Sequence, residues 1–239
     1  MSQIVVENVS KSYRTFSGIH HAVKNVSFSV DEGTVTLIGG ENGSGKSVLM
    51  NIIAGLEKPD SGSVKVSGGV GLVFQEADTQ ILGETPREDV AVGPKNQKKS
   101  RKEIELLVES ALSQTLLSEK ADFPSRFLSG GQKRRLAVAC MIAMENSVII
   151  FDEPYANLDF GGVKQVNSLI RKLKESGRTV LILSHELEKC LALADRFIVL
   201  FRGDKVFDGK PEDALKENLE EWNIRNPLVR YEKLSDLVW

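Results

Sequence analysis

Apolar positions along the chain recur with two periods. Ile4-Val5-Val6 and Ala22 to Val30 predict strands, with a polar, irregular connection over Arg14 to His21. Thr34-Val35-Thr36-Leu37-Ile38 reads as a buried strand, and Leu49, Ile52, Ile53 and Leu56 then repeat at helical spacing. Pro59-Asp60-Ser61-Gly62 is a turn, Ser63 to Val66 a short strand, and Gly68-Gly69 leads into the strand Val70 to Phe74. The pattern weakens from Glu76 to about Ser100. Ile104, Leu107, Val108, Ala111 and Leu112 then predict a helix bounded by Pro124, and Leu136, Ala139, Cys140, Ala143 and Met144 another. Val148 to Phe151, Thr179 to Leu183 and Phe197 to Phe201 predict strands, the first two separated by a helix with Val163, Val166, Ile170 and Leu173 on one face. From Pro211 the tail reads as an amphipathic helix through Leu215, Leu219 and Trp222, interrupted by Pro227 before Leu234, Leu237 and Trp239. Strands alternating with helices predict an α/β fold, and residues 76–145 an inserted helical lobe.

Composition narrows the classes. At 239 residues with 41% hydrophobic and 27% charged residues, the chain has ample material for a core, and a net charge of −2 gives no general attraction to nucleic acid. The two cysteines, Cys140 and Cys190, lie far apart without CxxC spacing and read as reduced core residues. No signal peptide is expected from Met1-Ser2-Gln3-Ile4, and the longest apolar run, Leu136 to Met144, is about half a membrane span. Lys95, Lys98, Lys99, Arg101 and Lys102 read as a solvated face or loop, with contact to acidic lipid or a partner as the alternative. His20 and His21 without a third ligand read as loop residues rather than a metal site.

The chemistry concentrates at strand ends. Gly40-Glu41-Asn42-Gly43-Ser44-Gly45-Lys46-Ser47 fits a phosphate-binding loop between a strand and a helix; read blandly it is a flexible turn. Its glycines let backbone N–H groups turn toward a phosphate at a positive helix end, with Lys46 reaching the outer phosphates and the Ser47 hydroxyl holding Mg²⁺. Ser129-Gly130-Gly131-Gln132 opens a second helix suited to phosphate. Asp152 and Glu153 end an apolar strand, where Asp152 suits Mg²⁺ through its water and Glu153 a general base; alone, such a pair is usually a solvated turn. Gln75 and His185 also sit at strand tips, His185 placed to touch a terminal phosphate, though a lone histidine is more often structural. Tyr13 is either a platform for a nucleobase or a packed surface residue.

The order Tyr13, GENGSGKS, Gln75, LSGGQ, FDEP, Asp159 and His185 resembles the nucleotide-binding subunit of ATP-binding-cassette transporters, from about Ile4 to Gly209. The resemblance implies a P-loop NTPase core of the RecA-like type over 1–75 and 146–210, with a small antiparallel region, an inserted helical subdomain over 76–145 and a helical tail over 211–239. It implies two subunits packed head to tail, each ATP lying between one phosphate loop and the other subunit's LSGGQ, which gives the second cradle a task. By it, Tyr13 stacks on adenine, Gln75 links Mg²⁺ and water to the lobe, Glu153 is the catalytic base, Asp159 reports across the dimer and His185 holds the terminal phosphate. Phe74 to Gln80, Glu88 to Pro94 and LSGGQKRR look like ATPases of energy-coupling-factor importers of vitamins, cobalt or nickel. Those pair as like or unlike ATPases on the cytoplasmic face of the membrane, beneath a transmembrane scaffold and a substrate-binding membrane protein, the tail adding dimer contacts. Val48 departs from the usual Thr, Tyr155 from a small or polar residue, and Ser63 to Val70 is short. Rival readings are a soluble cassette ATPase acting on DNA or ribosomes, another transporter class, and a P-loop kinase; LSGGQ has no task in a kinase.

Overall fold

The computed structural model describes residues 1–16, 18–229 and 233. The strands are β1 (Ser2–Thr15), β2 (Gly18–Asp31), β3 (Val35–Gly39), β4 (Ser61–Val66), β5 (Val70–Val73), β6 (Val148–Asp152), β7 (Thr179–Leu183), β8 (Arg196–Phe201) and β9 (Asp204–Gly209). The helices are α1 (Lys46–Ile53), α2 (Pro86–Asn96), α3 (Arg101–Gln114), α4 (Gly130–Ala143), α5 (Phe160–Glu175), α6 (Leu187–Cys190) and α7 (Pro211–Ala214). An antiparallel sheet of order β2-β1-β4 stands beside a sheet of order β5-β6-β7-β3-β8-β9, parallel except for β9.

The larger sheet is covered on both faces, which is why its central strands are apolar at nearly every position. Strand alternation sorts them between two cores. Val35, Leu37, Ile149, Phe151, Val180, Ile182, Phe197 and Val199 pack toward α2 to α5. Ile38, Val148, Ile150, Leu181, Leu183, Ile198 and Leu200 pack toward α1 and the antiparallel sheet. The C-terminal ends of β3, β6 and β7 thereby come together at one edge, where the loops carrying Gly40, Glu153 and His185 begin.

Four expectations need correction. Arg14, Thr15 and residues 18–21 are not irregular: they end β1 and begin β2, which pair antiparallel with Tyr13 opposite His20 and Ser12 opposite His21, and Ser12 Oγ meets His21 Nδ1 at 2.8 Å. Backbone pairing organises these residues, and the side chains here, Phe16 and Ile19 included, are exposed, so no core-facing period marks them. Residues 86–96 form α2, capped by Thr85 with Pro86 in the first turn; Pro94 lies near its end. The basic cluster therefore spans the end of α2 and the start of α3, where Ser100 and Glu103 make a capping box and Lys99 pairs with Glu145. Leu56 lies beyond α1, past Gly55 at φ 72°, and is exposed. The tail is not one helix but α7 followed by a 3₁₀ turn over Leu219–Trp222, whose Leu219 and Trp222 still reach the core. Leu234, Leu237 and Trp239 lie outside the described residues. Cys140 and Cys190 are free thiols, Cys190 buried, as expected.

Candidate nucleotide site

The loop between β3 and α1 has the geometry that its glycines predict. Gly40 has φ 144° and Gly45 φ 101°, and a Cβ at either would collide with the carbonyl oxygen of Leu200 or of Ala22. Gly45 is the N-cap of α1 and no side chain caps the helix, so the first-turn N–H groups are left for a ligand. Lys46 is buried, and its Nζ donates to Gly40 O at 2.7 Å and Glu41 O at 3.0 Å. Burial lowers its pKa, opposed by the charges of Glu153, Asp152 and Glu41. Ser44 Oγ is buried in the loop without a hydrogen-bond partner among the described residues. Unpaired donors around a buried cation suit a group rich in anionic oxygen.

The carboxylates stand across from this loop. Asp152 has its pKa raised by burial and by Glu153, with Lys46 opposing. Glu153 is nearly buried and takes a left-handed φ of 46°, a strained conformation of the kind that marks functional turns. Its Oε2 accepts from Ser184 Oγ at 3.1 Å and from the His185 amide at 3.4 Å, and its Oε1 lies 2.9 Å from His185 Nδ1. That carboxylate selects the Nδ1–H tautomer, leaving Nε2 as the other edge of the ring. Ser47, Asp152 and Gln75 offer oxygen donors only, the chemistry Mg²⁺ takes, and no cluster of three metal-ligating side chains exists among the described residues. The donor set therefore fits an ion held partly by nucleotide phosphates and water.

The second cradle lies elsewhere. Ser129 caps α4 in a reciprocal box with Gln132, its Oγ accepting from Gln132 N and its amide donating to Gln132 Oε1 at 2.9 Å. Nothing stands within 4 Å of where a Cβ would project from Gly130 or Gly131. Gly130 lines a cleft with Gln75, Glu76, Asp78, Arg134 and Asn157. Buried Arg134 donates through Nη2 to Gln75 O at 3.1 Å, while Nε and Nη1 have no partner among the described residues. Asp159 caps α5, its Oδ1 accepting from Gly162 N at 2.7 Å.

The ABC transporter family model matches residues 23–156, more than half of the chain. The chain belongs to the ABC transporter ATP-binding family. This ABC ATPase is 36% identical over 242 residues to the energy-coupling factor transporter ATP-binding protein EcfA1 of Mycoplasma mobile, covering 95% of the chain and 87% of that protein. It is 38% identical over 232 residues to the cobalt import ATP-binding protein CbiO of Rhodobacter capsulatus, covering 90% of the chain and 82% of that protein. Among solved structures it resembles CbiO1 of Clostridium perfringens, part of the CbiONQ transporter complex, with TM-score 0.82, 31% identity and coverage of 95% of this chain and 96% of that one. It also resembles a dimeric ATP-binding cassette bound to ADP and Pi, with TM-score 0.77, 29% identity and coverage of 87% and 98%.

In this ABC ATPase the departures from the family pattern have local explanations. Tyr155 is fully buried and its hydroxyl donates to Asn167 Oδ1 at 2.8 Å, so the large residue is part of the core beneath the site. Val48 packs against the α1 core. Tyr13 is half-buried, its hydroxyl on Glu57 at 2.7 and 2.8 Å, with its pKa pushed up to about 12 by burial and then by Glu57. Glu57, Ser184, Arg134 and Asn223, whose Nδ2 donates to Glu41 Oε2 at 2.9 Å, are hydrogen-bond partners of the candidate site residues that the motifs did not reveal.

Proposed function

We propose that this ABC ATPase is the motor subunit of an energy-coupling-factor-type importer and works as a pair of cassettes, with like or unlike partners. The observation that carries this reading is the lining of the cleft at the second helix start: Gly130 lines it with Gln75 and Asn157, and no residue of the phosphate loop does. A cradle whose cleft holds no residue of its own loop is suited to a second chain's nucleotide, and the dimeric likeness at 29% identity supports that arrangement. The EcfA1 and CbiO relatives support the importer class; in this reading the cargo is a vitamin or a transition-metal ion.

In this reading the amides from Gly40 to Val48 hold the phosphates, Lys46 turns from its loop carbonyls to the outer phosphates, and Tyr13 carries the base. Ser47, Asp152 and Gln75 would hold Mg²⁺, which would supply charge neutralisation on the phosphates. Ser184 and His185 orient the Glu153 carboxylate, which takes the proton of the attacking water, while His185 Nε2 meets the terminal phosphate. Ser129, Gly130, Gly131 and Gln132 close on the partner's ATP and Asp159 lies at that junction. Splitting the site between chains ties phosphoryl transfer to closure. Residues 76–145 act as the lobe that passes motion from Gln75 to a transmembrane scaffold and its substrate-binding protein, so the ATPase sits peripherally on the cytoplasmic face. Among the described residues no helix is long and apolar enough to cross a membrane. Glu76, Asp78 and Glu84 are the acids that meet basic residues of the scaffold; Asp78 is shared with Lys133, so charge reversal at all three should abolish co-purification with the scaffold.

Glu153→Gln tests the catalytic assignment. Turnover should fall ~10²–10⁴-fold, the range for loss of a general base, while ATP binding persists and the ATP-bound protein elutes as a closed dimer in size-exclusion chromatography. Undiminished turnover would remove Glu153 from its role.

A further inference from the structure

Tyr13 is fixed from three directions. Its hydroxyl donates to both carboxylate oxygens of Glu57. Lys11 Nζ lies 5.6 Å from its ring centroid, and that ammonium donates to Lys58 O at 2.8 Å and pairs with Glu57 at 3.2 Å and Asp60 at 3.4 Å. Asp60 in turn accepts from the amide of Ser12, the residue before Tyr13, at 2.7 Å. A tyrosine on a half-exposed strand ordinarily loses rotamer freedom when a ligand stacks on it; here that freedom is already gone. With a cation over one face, the ring offers the opposite face to a flat base.

Glu57 also belongs to the exit of the phosphate-loop helix. The amides of Leu56 and Glu57 both donate to Asn51 O, at 2.9 and 3.2 Å, and lock the residue to the end of α1. At a rise of 1.5 Å per residue, the eight residues of α1 make a rigid rod of about 12 Å that begins at Lys46 and carries this anchor near its far end. The aromatic ring and the phosphate loop are therefore two ends of one rigid body, although the ring is carried by the other sheet.

We propose that Glu57 is a positioning residue for the nucleobase, holding Tyr13 at a set distance from the phosphate loop so that base and phosphates of one nucleotide are met together. The proposal rests on the reading of Tyr13 as the base platform, and the test separates the two. Calorimetric titration of the full chain with Mg-ADP gives the affinities. Tyr13→Ala should weaken ADP about tenfold or more, within the range measured for base stacking on aromatic side chains. Glu57→Ala should weaken it about fivefold, the net worth of one ordinary hydrogen bond, and Glu57→Gln less, because the amide oxygen still accepts. Tyr13→Phe, which keeps the ring and removes only the anchor, should match Glu57→Ala, and combining the two should add nothing further. Inorganic tripolyphosphate, which has no base, should compete with equal affinity in wild type and Glu57→Ala. If Tyr13→Ala weakens ADP but Glu57→Ala or Tyr13→Phe does not, the positioning role is overturned and the platform stands. Equal loss of tripolyphosphate affinity in Glu57→Ala would likewise overturn it, by showing a general structural effect. Unchanged ADP affinity in Tyr13→Ala removes the platform itself.

Discussion

Two helices of this ATPase begin at a glycine-rich turn suited to phosphate, and they treat their first-turn amides in opposite ways. α1 starts at Gly45 in a left-handed conformation with no side-chain cap. α4 starts at Ser129 with a reciprocal capping box, the same device that closes α3 at Ser100 and Glu103. An uncapped helix start is costly for a folded chain unless something else satisfies it, whereas a capped one is complete without a ligand. In the proposed reading, the contrast separates a site that one chain can fill alone from one that meets a second chain's nucleotide. It also shows that a cap says nothing of function by itself, since α3 has one and carries no motif.

The largest effects should come from disabling the two helix starts in turn. Lys46→Ala removes the cation buried under the loop, and ADP affinity of the single chain should fall ~100-fold or more, as expected for charge-assisted bonds to phosphate lost in a buried site. Gly130→Asp places a carboxylate where space is open and where the proposed reading brings the partner's phosphate. ADP binding to the monomer should be unchanged by calorimetry, while steady-state hydrolysis falls ~10²–10³-fold, the cost of losing a preorganised anion site. Equal damage to monomer binding in both variants would erase the distinction between the two helices.

Much of this arrangement was legible in the sequence, and the reason is physical. The strands of the covered sheet are unbroken apolar runs because both faces are buried, and phosphate motifs are contiguous because one turn of backbone makes the cradle. The pairing of residues 14–15 with 18–19 and the helix α2 were hidden, the first because it is carried by backbone among exposed side chains. In α2, Gly93 and Pro94 sit in a helix whose partly buried surface needs few large apolar residues. The supporting bonds were hidden for another reason. Glu57 reaches Tyr13 across 44 residues, Ser184 reaches Glu153 across 31, Arg134 reaches Gln75 across 59 and Asn223 reaches Glu41 across 182. No local pattern encodes such pairs; the topology has to bring them together.

The capping boxes provide an internal control of intermediate size. Ser129→Ala and Ser100→Ala should each cost about 1 kcal/mol of stability, read as matching shifts in urea midpoint, because each removes one N-cap acceptor. Only Ser129→Ala should also slow hydrolysis. Should Ser100→Ala slow it as much, the effect would belong to lobe stability and not to the hydroxyl at the partner's phosphate.

The smallest effect belongs to Val48, in the first turn of α1. Threonine there adds one hydroxyl beside amides that already face the phosphate, and a net bond worth ~0.5–1.5 kcal/mol would tighten ADP binding about two- to tenfold. Val48 is partly buried against the core that contains Leu49 and Ile52, so the polar atom also costs packing, and a lower thermal midpoint should accompany the gain. Calorimetry with Mg-ADP on Val48→Thr measures the first quantity and a melting curve the second. Tighter binding with lower stability would mean that this chain trades nucleotide affinity for core packing at that position. Unchanged affinity would mean that the uncapped amides of α1 already supply all the anion binding the helix start can give, which is the stronger form of the contrast with α4.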